Sequence, residues 1–220
     1  SGPERYRFTE HREFLDGLLL ALGVIEDVTL VAHDWGTALA FDWARRHPDS
    51  VRGIAYMEGI VMPLSWEDWP DAARPIFQAM RSPAGDDLVL ERNVFVERIL
   101  PKSVLRGLGE EEMAVYRRPY EQPGESRRPT LAWPRQLPMD GEPADVCAIV
   151  DSYSRFLAES QIPKLFVNGD PGSILVGAAR DRCRSFPSQR EVTVRGIHFL
   201  QEDSPDEIGR AVATWLTDLR

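Results

Sequence analysis

Three side chains able to act as nucleophile, acid or base, Asp34, Glu58 and His198, each stand where an apolar or β-branched run stops. Asp34 follows Val28-Thr29-Leu30-Val31-Ala32-His33, has the small residues Ala32 and Gly36 two positions to either side, and is followed at once by a helix-forming run. Strand, sharp turn and helix put the carboxylate at a helix N-terminus, where backbone N–H groups and the helix dipole favour its ionised form. A carboxylate so placed can attack carbon. The plain alternative is a helix N-cap, for which Asp is among the favoured residues; the preceding strand, the small neighbours and the adjoining Trp35 indole weigh toward chemistry.

His198 follows a strand and a glycine and opens a loop, so its imidazole can reach the mouth of a sheet as a base. Glu58 ends the strand after the Asp34 turn, in an apolar setting that rarely holds a carboxylate without a partner. Asp170, in Asn168-Gly169-Asp170-Pro171-Gly172, ends another strand, although its neighbours equally suit a turn. Either acid could orient the histidine. His33 is expected to point away from the Asp34 side chain and to be structural, and His11 and His47 read as surface helix residues.

The elements that must position these groups follow from periodicity. A helix is expected from Thr9 as N-cap to Ala21, stopped by Gly23, with Phe14, Leu15, Leu18, Leu19 and Leu20 as its apolar stripe. Strand 28–33 leads into a helix ending near His47, and 51–57 reads as a second buried strand; a helix between two strands makes a parallel βαβ unit. Residues 63–142 change character: most of the prolines and three tryptophans, Trp66, Trp69 and Trp133, lie there, with short helical patterns and no strand-like run. That stretch is expected to be a helical cap over the sheet edge where such folds bind ligands. The sheet pattern resumes with a helix at 143–158, a strand at 164–168, a helix at 175–186, a strand at 191–194 and a final helix at 205–219. The reading is therefore an α/β fold, with residues 1–62 and 143–220 forming the core around the cap.

Composition narrows the partners. With 26 Lys and Arg against 35 Asp and Glu, the net charge of −9 argues against nucleic acid or an anionic membrane as partner. The two cysteines, Cys147 and Cys183, are too far apart for a metal-ligand spacing and read as reduced thiols, partly buried, in a cytoplasmic protein. No apolar run approaches the length of a membrane span. Neither a metal nor a cofactor is expected.

The runs His33-Asp34-Trp35-Gly36, Tyr56-Met57-Glu58, Trp66-Glu67-Asp68-Trp69-Pro70, Arg127-Arg128-Pro129-Thr130-Leu131-Ala132-Trp133-Pro134 and His198-Phe199-Leu200-Gln201-Glu202-Asp203 resemble, in order and separation, the haloalkane dehalogenases of the α/β-hydrolase fold. The turn at Asp34 then matches that fold's nucleophile elbow, with Asp in place of Ser. The coelenterazine luciferase of Renilla, of the same ancestry, shares the pattern. The resemblance implies that Asp34 is the nucleophile, His198 the general base, Glu58 the acid that orients it (Asp170 being the position used by another branch), and Trp35 a halide-binding donor. It further implies pocket walls at Phe77, Phe95, Trp133, Pro134, Leu175 and Phe199, and as partners a small halogenated hydrocarbon, water and halide. Family members carry further strands before this chain's first helix, including a His-Gly-Asn-Pro loop with a second halide donor. The expectation is a chain holding the C-terminal part of the parallel sheet, completed by a complementing N-terminal segment or by an oligomer. Alternatives on the same residues are a cofactor-independent luciferase, an epoxide hydrolase using tyrosine donors from Tyr116, Tyr120 or Tyr153, and a ligand-binding protein without turnover.

Overall fold

The computed structural model describes Gly2 and residues 4–219. Helix α1 (Phe8–Ala21) precedes strand β1 (Val28–Asp34), helix α2 (Trp35–Arg46) and strand β2 (Val51–Gly59). An insertion follows with α3 (Arg74–Arg81), a short turn of helix α4 (Leu100–Lys102), α5 (Glu110–Arg117) and α6 (Arg128–Gln136). Helix α7 (Ala144–Glu159), strand β3 (Lys164–Pro171), helix α8 (Gly177–Arg184), strand β4 (Gln189–Gly196), the short α9 (Leu200–Asp203) and α10 (Pro205–Asp218) complete the chain. Among the described residues the strands form one sheet in the order β1-β2-β3-β4, every neighbouring pair parallel.

Alternation along the inner strands decides what packs where. Ile54 and Tyr56 of β2 and Phe166 of β3 face a core shared with Phe41, Val146, Val150, Tyr153, Leu157 and Phe186 of the α2, α7 and α8 layer. Their neighbours Ala55, Met57, Leu165 and Val167 face the opposite side, against Ile208 and Trp215 of α10. Residues apolar toward both faces are what a parallel sheet sandwiched between helices requires. Close approach of α10 needs Gly53, where a Cβ would lie 2.8 Å from the Trp215 ring.

Entry to and exit from the insertion are tied together. The Leu64 amide donates to the Pro138 carbonyl at 2.9 Å and the Asp140 amide to the Leu64 carbonyl at 2.9 Å, so the segment leaves and rejoins the sheet through one neck. Arg81 closes the end of α6, donating to the carbonyls of Pro134, Arg135 and Leu137. Arg127, buried, does the same for Leu90, Glu91 and Tyr120. A guanidinium satisfies several carbonyls at once, which suits short helices whose ends must be buried.

One expectation is corrected at α1. The helix begins at Phe8 with Arg7 at its cap position, and Glu10 reaches back to the Tyr6 amide, so Thr9 lies inside the first turn. Of its apolar stripe, Leu15 and Leu19 are half-buried, whereas Phe14, Leu18 and Leu20 are 66%, 55% and 69% exposed, as is Val31 of β1 at 54%. The reason for Val31 is positional, since β1 is the edge of the described sheet and no described strand pairs beyond it. Boundaries elsewhere move by a few residues: β2 runs on to Gly59, α8 spans Gly177–Arg184, and β4 starts at Gln189.

Replacing Gly53 by Ala is expected to cost about 1–3 kcal/mol through overpacking against Trp215, read as a lower denaturation midpoint with an unchanged slope in urea.

Candidate active site

Asp34 sits at the junction of β1 and α2 with φ 51° and ψ −127°, a conformation rare for a residue with a side chain. Its side chain makes no capping bond to α2, so the N-cap alternative fails on geometry. The carboxylate is 34% exposed and lies 3.7 Å from Nε2 of His198.

Glu58 is aimed by an irregularity in the ladder. His33 pairs with Met57 and Asp34 with Gly59, so Glu58 is an extra residue in β2, at φ 37°. Bulges of this kind redirect a side chain. The carboxylate is fully buried and accepts the backbone N–H groups of Ser173, Ile174 and Leu175 at 3.1, 2.8 and 3.3 Å. These lie in the loop between β3 and α8, which Gly172 (φ +75°) allows to close around it; a Cβ there would stand 3.2 Å from Oε1 of Glu58 and 2.9 Å from the Gly169 carbonyl.

His198, in the loop after β4, brings Nδ1 to 3.4 Å from Oε2 of Glu58. A carboxylate only accepts, so the proton of the neutral imidazole belongs on Nδ1 and the lone pair on Nε2 faces Asp34. Burial alone would lower the His198 pKa; the bond to Glu58 and the charges of Asp34 and Glu58 outweigh it and hold the pKa above the ordinary imidazole value. The corresponding stabilisation of the fold is complete below pH ~6.5 and is lost as pH rises through the raised folded-state value. Asp170 is exposed at the end of β3, while the His198 ring turns to Glu58.

Trp35 is 7% exposed, with its ring 5.7 Å from Phe8 and 4.7 Å from Trp133. Leu175 and Trp69 are buried in the same apolar cluster, with Phe77 and Trp133 packed against it. Phe95 joins Phe77 on a second cluster around Met80 and Leu131, Pro134 is buried in α6, and Phe199 packs on the rings of His198 and His33 at 4.8 and 5.6 Å. Pro134 apart, the expected wall residues are thus divided among three apolar clusters.

Other expectations change. His11 is half-buried, stacked 4.3 Å from the Trp133 ring, because α1 lies over α6 at this point. His33, read as structural and pointing away from the Asp34 side chain, packs its ring 4.8 Å from that of His198. His47 is exposed just past α2, and Cys147 and Cys183 are free thiols, the second fully buried. Of the tyrosines, Tyr153 donates to the Ile60 carbonyl at 2.6 Å and Tyr116 to Glu202, which removes both as donors toward Asp34. The amide cradle of Glu58 was not read from the sequence; the Gly172-Ser173 step directly after a strand end is the signal that marks it.

Replacing Glu58 by Gln should lower the His198 pKa toward or below 6.5, followed by NMR of the imidazole protons. Gly172→Ala should shift it in the same direction by crowding the carboxylate.

The alpha/beta hydrolase fold family model matches residues 1–205. A haloalkane dehalogenase of Sphingobium indicum is 58% identical over 220 residues, covering 100% of this chain and 74% of that protein. One from Mycolicibacterium smegmatis is 51% identical over 222 residues, covering 100% and 71%. Among solved structures, haloalkane dehalogenase DbeA from Bradyrhizobium elkani USDA94 superposes with a TM-score of 0.92 at 45% identity, over 97% of this chain and 75% of that one. DatA from Agrobacterium tumefaciens C58 gives 0.91 at 32% identity, over 100% and 76%. Strand order, elbow and sequence agree, and the chain belongs to the haloalkane dehalogenases of the α/β-hydrolase fold.

Proposed function

We propose that Asp34, Glu58 and His198 act as a catalytic triad that hydrolyses a haloalkane to an alcohol and halide. The observation that carries this reading is an uncapped carboxylate on strained backbone, 3.7 Å from an imidazole whose other nitrogen meets a buried carboxylate. In the first step an Asp34 oxygen bonds to the halogen-bearing carbon as the carbon–halogen bond breaks, and the electron pair leaves with the halide. The product on the protein is an alkyl ester. Trp35 meets the departing charge, since an indole N–H can donate and cannot accept. In the second step His198 takes a proton from water, whose oxygen attacks the ester carbonyl carbon; such a positioned base contributes roughly 10²–10⁴ in rate. The carbonyl carbon–alkoxy bond then breaks, the alkoxide leaves with the proton held on His198, which restores the neutral imidazole, and the restored carboxyl group gives its proton to solvent.

Residues 63–142 serve as a cap whose apolar side chains shield the reacting carbon, with Phe77, Phe95, Trp133, Pro134, Leu175 and Phe199 as the walls. Support for this comes from the neck at Leu64 and from the packing of Phe77 and Trp133 on the Trp35 cluster. The exposed apolar side chains of α1 and β1, in a chain spanning 74% of its Sphingobium relative, support completion of the sheet by a complementing N-terminal segment or by a second copy of the chain. Free thiols at Cys147 and Cys183 accord with a cytoplasmic protein, and among the described residues no helix is long and apolar enough to cross a membrane.

With His198 replaced by Phe, incubation with 1-bromobutane should leave a butyl adduct on the peptide holding Asp34, detected by mass spectrometry, because displacement survives while ester hydrolysis stops. Folded protein without an adduct would overturn the reading. Replacing Trp35 by Phe should slow bromide release by roughly 10²-fold, the usual effect of losing one donor to a developing anion.

A further inference from the structure

We infer that His33 is a positioning residue for the base, holding the backbone that carries His198 through a neutral imidazole N–H. Nε2 of His33 lies 2.8 Å from the carbonyl oxygen of His198. A carbonyl only accepts, so that nitrogen carries the proton. The amides of His198 and Phe199 both donate to the Ser103 carbonyl, each at 3.1 Å. The peptide bearing the base is therefore gripped on its carbonyl side from β1 and on its amide side from the insertion. The His33 ring also packs against the rings of His198 and Phe199. His33 directly precedes Asp34, so one dipeptide carries the nucleophile and fixes the base relative to it.

The charged and titratable groups facing His33 are Asp34 on its own strand, Glu58 on β2 and His198 in the loop after β4. Burial and the neighbouring His198 outweigh the two carboxylates and keep His33 below the ordinary imidazole range. A neutral donor suits the place: His198 becomes a cation during ester hydrolysis, and a second cation beside it would oppose that step. Misplacing a base by an ångström can cost up to ~100-fold, and the loss falls on hydrolysis, since displacement by Asp34 does not use His198.

This inference rests on the reading of His198 as base, and the test separates the two. The full chain, His33→Gln and His33→Leu are compared with 1-bromobutane, following butyl ester on Asp34 and bromide release. Gln keeps an N–H near the place of Nε2; Leu has none. The expected result is that His33→Leu accumulates ester and hydrolyses it ~10–100-fold more slowly with alkylation unchanged, while His33→Gln restores hydrolysis. Equal slowing of both steps, or hydrolysis at the parent rate in His33→Leu, overturns the inference. If His33→Leu does not fold, His33→Phe keeps the ring contacts without the N–H and takes its place. Should even His198→Phe form no ester, the dehalogenation reading has failed, and imidazole ¹⁵N NMR decides the inference alone. His33 should then appear as the Nε2–H tautomer, and the His198 titration should move toward 6.5 in His33→Leu and stay in place in His33→Gln. An Nδ1–H tautomer, or one His198 titration common to all three proteins, would contradict it.

Discussion

A carboxylate with no solvent exposure is affordable only when its oxygens are fully engaged, and the Glu58 carboxylate organises the site on that account. It draws three backbone amides from the loop after β3 and one imidazole from the loop after β4, so a single charge joins three neighbouring strands. Removing any one of these partners leaves the rest of the arrangement holding an incompletely satisfied buried ion. The bulge that produces this geometry lies at the point where the β1 register advances from His33 to Asp34. One irregularity in the ladder thus aims the Glu58 carboxylate and sits beside the turn that presents Asp34.

The insertion contributes to the same constraint from outside. Asp203, at the end of α9, accepts the amides of Leu105 and Arg106 as well as that of Ile197, next to the base. Arg106 in turn pairs with Glu202 and Glu112. These exposed pairs are individually weak; the backbone bonds to Ser103 and Asp203 do more, because they fix the spacing between insertion and base loop directly. The His198 loop is consequently held by both the sheet and the insertion, and the C-terminal end of α6 is fixed by the Arg81 bonds to its carbonyls.

Elements with strong periodicity were legible from residues alone. The strand at β1, the helix that follows Asp34 and the doubly apolar strands β2 and β3 needed only alternation and length, and the three candidate chemical groups fell at strand ends as a parallel sheet requires. The burial of α1 was not legible: a stripe such as Phe14, Leu18 and Leu20 shows that a face wants covering, and its exposure depends on which neighbours the described sheet supplies. Glu58 over Asp170 could be favoured by resemblance, but the physical reason, an amide cradle closed by Gly172, depends on a loop from a distant strand. The partner of His33 was not legible for a related cause, since strand parity at position 33 speaks only of β1 and the partner is a carbonyl 165 positions away.

The proposed reaction turns on covalent attachment of Asp34 to the substrate carbon. A single turnover of excess protein with 1-bromobutane in H₂¹⁸O tests it most directly, by mass analysis of the butanol and of the peptide containing Asp34. The expected result is unlabelled butanol, its oxygen taken from Asp34, with ¹⁸O appearing in the Asp34 carboxylate. Labelled butanol with an unlabelled Asp34 peptide would mean that water attacks the carbon itself, and would contradict it.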